Sequence, residues 1–167
     1  MIAPTQRRWE PRDLPVINGS ACRTPEALSA VIDSADVETH PRYQPVGSDT
    51  WCNIFLWDVT RALGCEIPHW VGKAPHRREL SANGICLWLR TSQREWRRAG
   101  AAEALAHAAR GGPAVACWEN PDGHGHVAVL SPCATEIRIA QAGRVCFADG
   151  SLVRGFGSRR PEFWIHE

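Results

Sequence analysis

Three residues of this chain have side chains suited to nucleophilic catalysis and stand at the ends of predicted elements. Cys52 opens an apolar helix, His126 opens an apolar strand, and Gln141 closes the strand expected beside it. A thiol attacks an amide carbon when an imidazole takes its proton and a polar side chain orients that imidazole. The residue types and their order therefore predict a Cys-His-Gln triad that works through an acyl-enzyme.

The stretch from Trp51 to Leu63 predicts a core helix, because apolar residues cover most of its sides. Cys52 lies in its first turn, where unpaired backbone N–H groups and the positive helix end favour a thiolate. We expect a lowered pKa for this thiol, and we expect the same N–H groups to hold an oxyanion. A small buried cysteine at the start of a core helix has the same position, so both interpretations stay open.

Two alternating stretches, residues 126–130 and 136–141, predict an antiparallel hairpin. A turn centred just after Cys133 places His126 directly opposite Gln141 on one apolar face. We expect the core helix to pack on this face, so that the sulfur and the imidazole touch. A core histidine whose hydrogen bond is satisfied by a core amide is the competing interpretation.

A charged residue inside the predicted core helix needs a partner, because burial of an unpaired charge is costly. Asp58 is that residue, and Arg61 follows it by three positions on the same helical face. We expect the two side chains to form a structural ion pair.

The remaining patterns place helices before strands, an order typical of an α+β domain. Further helices are predicted over residues 25–34, 81–89 and 101–110. Strands are predicted over residues 114–118, 126–130, 136–141, 145–147, 151–154 and 163–166. We expect one compact domain, in which residues 1–40 form an arm and helix and residues 41–167 form the catalytic part.

The composition is typical of a globular protein, and the small net charge gives no strong electrostatic attraction to nucleic acid or anionic lipid. Hydrophobic residues make up 44% of the 167 positions, eight residues are Trp, and the formal net charge is +1. No apolar run reaches 18 residues, and the first residues do not resemble a secretory signal. We expect synthesis in the cytoplasm, no membrane span and no nucleic-acid partner.

The cysteines and histidines give little support for a metal site. The seven cysteines are odd in number and form no CxxC pair. His124 and His126, with Cys117 or Asp122, have ligand chemistry, but His124 follows turn residues and should lie in a loop. We therefore expect no bound metal.

Three motifs resemble those of the CHAP amidases and the related NlpC-type peptidases: Cys52-Asn53-x-Phe55, Gly125-His126-Val127-Ala128-Val129 and Ile139-Ala140-Gln141. The resemblance covers roughly residues 43–141. It implies a papain-like α+β fold, with N-terminal helices packed on an antiparallel sheet of about five to six strands. It also implies hydrolysis of peptidoglycan amide bonds without a cofactor.

By position, the resemblance implies that Cys52 is the nucleophile, His126 the general base and Gln141 the third residue. Many CHAP members have Glu in the third position, and a neutral amide orients the imidazole without stabilising its charged form. Residues expected at the oxyanion site or cleft are Tyr43, Trp51 and Asn53. Residues expected to contact substrate are Trp118 and His124. Core packing is the alternative for the three aromatic residues.

We expect a monomer that acts on cell-wall peptide, in the wall or periplasm, after lysis or non-classical delivery. For an antibacterial effector, the resemblance also implies an immunity protein as partner. A deamidase or transglutaminase-type effector acting on protein glutamine has the same chemistry. The alternative of another class is a non-catalytic peptidoglycan- or protein-binding module. Catalysis predicts that Cys52 reacts with iodoacetamide faster than the other six thiols.

Overall fold

A six-stranded antiparallel sheet forms the centre of the molecule, and helices cover both of its faces. The computed structural model describes residues 6–17, 19, 22–92 and 95–167. The predicted α+β class, with helices packed on an antiparallel sheet of this size, is confirmed. No helix in the described part of the chain is long and apolar enough to cross a bilayer.

The described helices are a short 3₁₀ helix at Gln6–Trp9 and five α-helices: α1 Pro25–Ser34, α2 Cys52–Ala62, α3 Ala82–Ser92, α4 Ala101–Ala109 and α5 Leu152–Phe156. A two-stranded ribbon contains β1 Trp70–Val71 and β2 Arg78–Glu79. The main sheet has the order β3-β8-β4-β5-β6-β7. Its strands are β3 Trp96–Ala99, β4 Ala114–Trp118, β5 His126–Ser131, β6 Arg138–Gln141, β7 Phe147–Ser151 and β8 Glu162–His166.

Helix α2 is the central helix, and every residue in it except Arg61 is buried. Its apolar sequence predicted this position correctly, because a helix without a continuous polar face gains most by complete burial. The helix stands on the main sheet with α1 and α3 beside it. Cys52 is its first residue, so the helix brings the thiol to one end of strand β5.

The two faces of the sheet form separate cores, because successive strand residues point to opposite sides. The α2 face includes Val115, Cys117, Val127, Val129 and Ala140, which pack with α1, α2 and α3. The α5 face includes Ala116, Ala128, Leu130, Ile139 and Phe147, which pack with α4 and α5. Burial on both sides explains why β5 is almost continuously apolar.

The predicted hairpin register is wrong by two residues. Leu130 lies opposite Ile139, where the sequence pattern suggested Ile137. An even shift keeps every side chain on its own face, so His126 and Gln141 still share one face. That face is the α5 face, and the expectation that the Cys52 helix packs on it is also wrong.

The predicted strand at 151–154 is instead the start of helix α5. The Ser151 hydroxyl accepts a hydrogen bond of 3.2 Å from the Arg154 backbone N–H, which is the bond of a helix N-cap. Helix α5 covers strands β6 and β7 and supplies Phe156 to the core of the α5 face.

The buried carboxylate of Asp58 has a different partner from the one predicted. Its oxygens accept hydrogen bonds from the Arg42 guanidinium at 2.6 and 3.1 Å and from the Tyr43 hydroxyl at 2.8 Å. Arg61 points outward and lies 3.6 Å from Asp13. Pairing with Arg42 ties the irregular segment that leads into α2 to the centre of that helix.

Candidate functional site

The Cys52 thiol lies at the start of α2, with the residue only 6% exposed. Burial raises the pKa of this thiol to about 11, although the backbone N–H groups of Val127, Asn53 and Cys52 itself act in the opposite direction. The expected lowering of the pKa is therefore wrong. Removal from water opposes the thiolate more than the helix N-terminus favours it.

His126 and Gln141 form the best-defined polar pair at this end of the sheet. His126 Nε2 lies 2.6 Å from Gln141 Oε1, and Gln141 Nε2 donates to the Val145 carbonyl at 3.0 Å. The second bond fixes which way the amide points, so Oε1 must accept a proton from Nε2 of the imidazole. The neutral ring then carries its lone pair on Nδ1, which is the nitrogen free to accept a proton.

Two glycines leave the space that Gln141 occupies. A Cβ atom at Gly155, in helix α5, would lie 2.5 Å from Gln141 Oε1. A Cβ atom at Gly143 would lie 3.1 Å from Gln141 Nε2 and 3.5 Å from His126 Cε1. The Phe156 ring lies 5.0 Å from the imidazole and completes the wall on the α5 face.

The surroundings of His126 favour the uncharged form of its imidazole. Burial lowers the pKa of His126, the hydrogen bond with Gln141 raises it, and the positive charge of Arg159 lowers it. Within the described chain Nδ1 makes no hydrogen bond, and it is not among the polar atoms sealed from solvent without a partner. An unoccupied nitrogen that reaches solvent can accept a proton from a group that enters the site.

The described residues show no hydrogen bond between Cys52 Sγ and His126, so the predicted sulfur–imidazole interaction is not formed in this structure. The sulfur lies against the N–H of Val127, whose side chain is on the α2 face, whereas His126 belongs to the α5 face. The thiol and the imidazole therefore lie near the same peptide bond, between His126 and Val127, but on opposite faces of the sheet.

Tyr43 and Asn53 have structural contacts in place of the expected oxyanion position. Tyr43 is fully buried, donates to Asp58 and packs edge-on against Phe55 at 5.5 Å, which corresponds to the packing alternative. Asn53 Nδ2 donates to Glu79 Oε1 and to the Leu80 carbonyl, both at 3.0 Å. The Asn53 amide therefore ties the first turn of α2 to strand β2.

Two other expected residues line the surface near the site. Trp51 is half-buried, donates to the Gln44 carbonyl at 3.0 Å and lies under the Arg8 guanidinium at 4.2 Å. Trp118 is half-buried and directly opposite His126 in the β4–β5 pair. Both tryptophans combine packing with an accessible edge.

His124 is exposed in the loop before β5, as predicted, and contacts that loop only through its carbonyl. Among the residues that the structure describes, no group of three or more His, Cys, Asp or Glu side chains could hold a metal ion.

The sequence did not predict that Asn83 holds the loop before His126, an interaction called here the Asn83 clamp. Asn83, in the first turn of α3, donates to the carbonyls of Asn120 and Gly123, each at 2.9 Å. Its Oδ1 accepts from the Asn120 N–H at 2.9 Å. An amide in a first helical turn is the one signal that could have identified this clamp.

His69 is a second feature that the sequence did not indicate. It is 1% exposed, and its ring stacks between Trp57 at 4.9 Å and Trp9 at 5.8 Å. Burial lowers its pKa to about 4. Nε2 lies 3.5 Å from Glu79, the carboxylate that also accepts from Asn53.

No protein-family model matches the chain, and no curated protein matches it.

Proposed function

We propose that this protein is a cysteine-dependent amide hydrolase of papain-like type that acts on the peptide of the bacterial cell wall. The observation that carries the proposal is the 2.6 Å hydrogen bond that orients His126 through Gln141 and leaves Nδ1 without a partner. This oriented base stands beside the peptide against which the Cys52 sulfur lies. The choice of cell-wall peptide as substrate rests on the resemblance of the three sequence motifs.

The chemistry begins from a neutral pair, since burial raises the pKa of the thiol to about 11 and lowers the pKa of the imidazole. The sulfur attacks while His126 Nδ1 takes its proton, so no thiolate needs to persist in the free enzyme. The Cys52 side chain must rotate toward Nδ1 at the start of β5 when substrate binds, while Gln141 keeps the imidazole in place. Catalytic hydrogen bonds that are long in unliganded enzymes commonly tighten in this way.

Attack forms a bond between Cys52 Sγ and the amide carbon, and backbone N–H groups at the start of α2 stabilise the oxyanion. His126 then gives its proton to the leaving amine as the C–N bond breaks. Water adds to the thioester, with His126 again as base, and releases the carboxylic acid and the free thiol. Gln141 holds the imidazole in the required tautomer through both steps.

Digestion of purified sacculi tests this function. The wild type and the control variant Cys133→Ala, altered at a distant loop thiol, should release the same peptide fragments in mass spectrometry, whereas Cys52→Ala should release none. Equal fragments from Cys52→Ala, or none from the wild type, would contradict the proposal. Release of ammonia from protein glutamine by the wild type, without fragments from sacculi, would show that the same residues catalyse deamidation.

A further inference from the structure

Arg159 lies beside the candidate base without a carboxylate to neutralise it. Among the described residues no Asp or Glu is within ion-pair distance of its guanidinium, and its one hydrogen bond is a 3.5 Å contact with the Phe156 carbonyl. The residue is exposed. By contrast, Arg90 and Arg138 each hold two carboxylates.

Trp118 holds this guanidinium in place. The Arg159 Cζ atom lies over the Trp118 ring, 4.6 Å from its centroid, and this cation–π contact supplies no carboxylate that would neutralise the guanidinium. Trp118 stands directly opposite His126 in the β4–β5 pair, so the two side chains share the α5 face. The register of one strand pair therefore places the cation next to the base.

We propose that Arg159, held on Trp118, binds a carboxylate of the substrate, so that the preferred substrate carries a free carboxylate near the scissile amide. A guanidinium edge matches a carboxylate through two parallel hydrogen bonds, and its positive charge here has no competing partner in the described chain. This inference rests on the proposed hydrolase function and names its substrate class.

Binding of such a carboxylate would also improve the base. The charge of Arg159 lowers the pKa of His126 in the free enzyme. A bound anion would offset that charge and raise the pKa, because it favours the imidazolium form. The substrate would thereby strengthen the base that must accept the Cys52 proton.

A matched pair of synthetic muropeptide tetrapeptides tests the inference. One has free carboxylates and the other has the same groups amidated. The wild type should cleave the free acid with a kcat/KM about 10- to 100-fold higher, and Arg159→Gln should reduce this preference to near unity, mainly through KM. Arg154→Gln is the control, since Arg154 is also exposed and stacks on Phe147 at 4.4 Å without acting on His126.

Arg159→Gln must keep the melting temperature of the wild type. An unchanged melting temperature shows that the variant loses its substrate preference without unfolding. Equal cleavage of the two peptides by the wild type would contradict the carboxylate-binding role of Arg159 without contradicting the hydrolase function. A preference that survives in Arg159→Gln would do the same. Cleavage of neither peptide by the wild type would contradict both proposals.

Discussion

At the scale of single residues, the site combines an oriented base with a buried, neutral thiol. The pKa of Cys52 is raised to about 11 by burial and the pKa of His126 is lowered, which favours a neutral pair over a thiolate–imidazolium pair. In the proposed reaction, proton transfer therefore accompanies attack. This differs from a cysteine whose helix N-terminus dominates its environment, because here desolvation is the larger effect.

Substitution of Gln141 should change both the rate and its pH dependence. Gln141→Ala should lower kcat/KM by about 10- to 100-fold, because the imidazole loses its orienting bond. Loss of that bond also lowers the pKa of His126, so the acidic limb of the pH–rate profile should move to lower pH. In Gln141→Glu the carboxylate would stabilise the imidazolium, and the limb should move to higher pH. A profile that does not move in either variant would exclude Gln141 as the orienting residue.

The thiols should react in a different order from the one predicted from sequence, in which Cys52 reacts fastest. Hydrogen bonds from the Thr135 hydroxyl and from the backbone N–H groups of Thr135 and Glu136 lower the pKa of Cys133, which is half-buried, whereas Cys52 is buried. Iodoacetamide should therefore label Cys133 well before Cys52 in the unliganded protein. Peptide mapping of partially alkylated protein checks this order. First labelling at Cys52 would show that its thiol is more open and more ionised than its burial implies.

At the scale of elements, alternation along the strands could be predicted from sequence, but the packing partner of each face could not. Periodicity placed His126 and Gln141 on one face and α2 in the core, and both features are present. Both faces of β5 are apolar, so nothing in its pattern distinguishes the α2 face from the α5 face. The register error of two residues has a similar origin, because an even shift leaves the alternation unchanged.

The Asn83 clamp links helix α3 to the loop that precedes His126, the candidate base. Asn83→Ala should lower kcat by at least about 10-fold, since three hydrogen bonds that hold the loop before His126 are lost. The free energy of unfolding should fall by about 1–3 kcal/mol. Chemical denaturation and steady-state kinetics measure the two effects.

Thr91→Ala is the control for Asn83→Ala, because Thr91 is exposed on the same helix and bonds only within it. Unchanged kcat in Asn83→Ala would mean that the loop holds its position without the clamp.

At the scale of the whole molecule, the helices on both faces of the sheet and the buried polar contacts determine how stability depends on pH. His69 is buried between two tryptophans with a folded-state pKa of about 4, while an unfolded histidine titrates near 6.5. Between these values the unfolded chain binds a proton that the folded chain excludes. The contribution of His69 is therefore fully present above pH 6.5 and is lost as the pH falls toward 4.

His69→Phe should remove that part of the acid sensitivity while preserving the stack with Trp57 and Trp9. The difference in unfolding free energy between pH 7 and pH 4 should shrink by roughly 2–3 kcal/mol, from the shift in pKa. Burial lowers the pKa of His40, His107, His126 and His166 as well, so a smaller slope should remain. Urea denaturation across this range, with exposed His124→Gln as control, measures the change. Equal slopes in His69→Phe and wild type would refute it.

The sequence indicated the class of the fold because helix and strand periods differ, and it indicated that His126 and Gln141 share one face. It could not indicate the Asp58–Arg42 pair, the Asn83 clamp or the His69 stack, since each joins residues 12 to 60 positions apart through side-chain geometry. Local patterns favoured Arg61 for Asp58, and tertiary packing overrode that preference. Interactions of this kind follow from how the elements pack.

A single-turnover reaction with a soluble muropeptide, quenched in acid and mapped by mass spectrometry, tests whether Cys52 attacks the amide with His126 as base. A thioester-linked acyl group should form on Cys52 in the wild type, and neither adduct nor product should form with Cys52→Ala. An acyl group mapped to another cysteine, or turnover by Cys52→Ala at the wild-type rate, would contradict this mechanism.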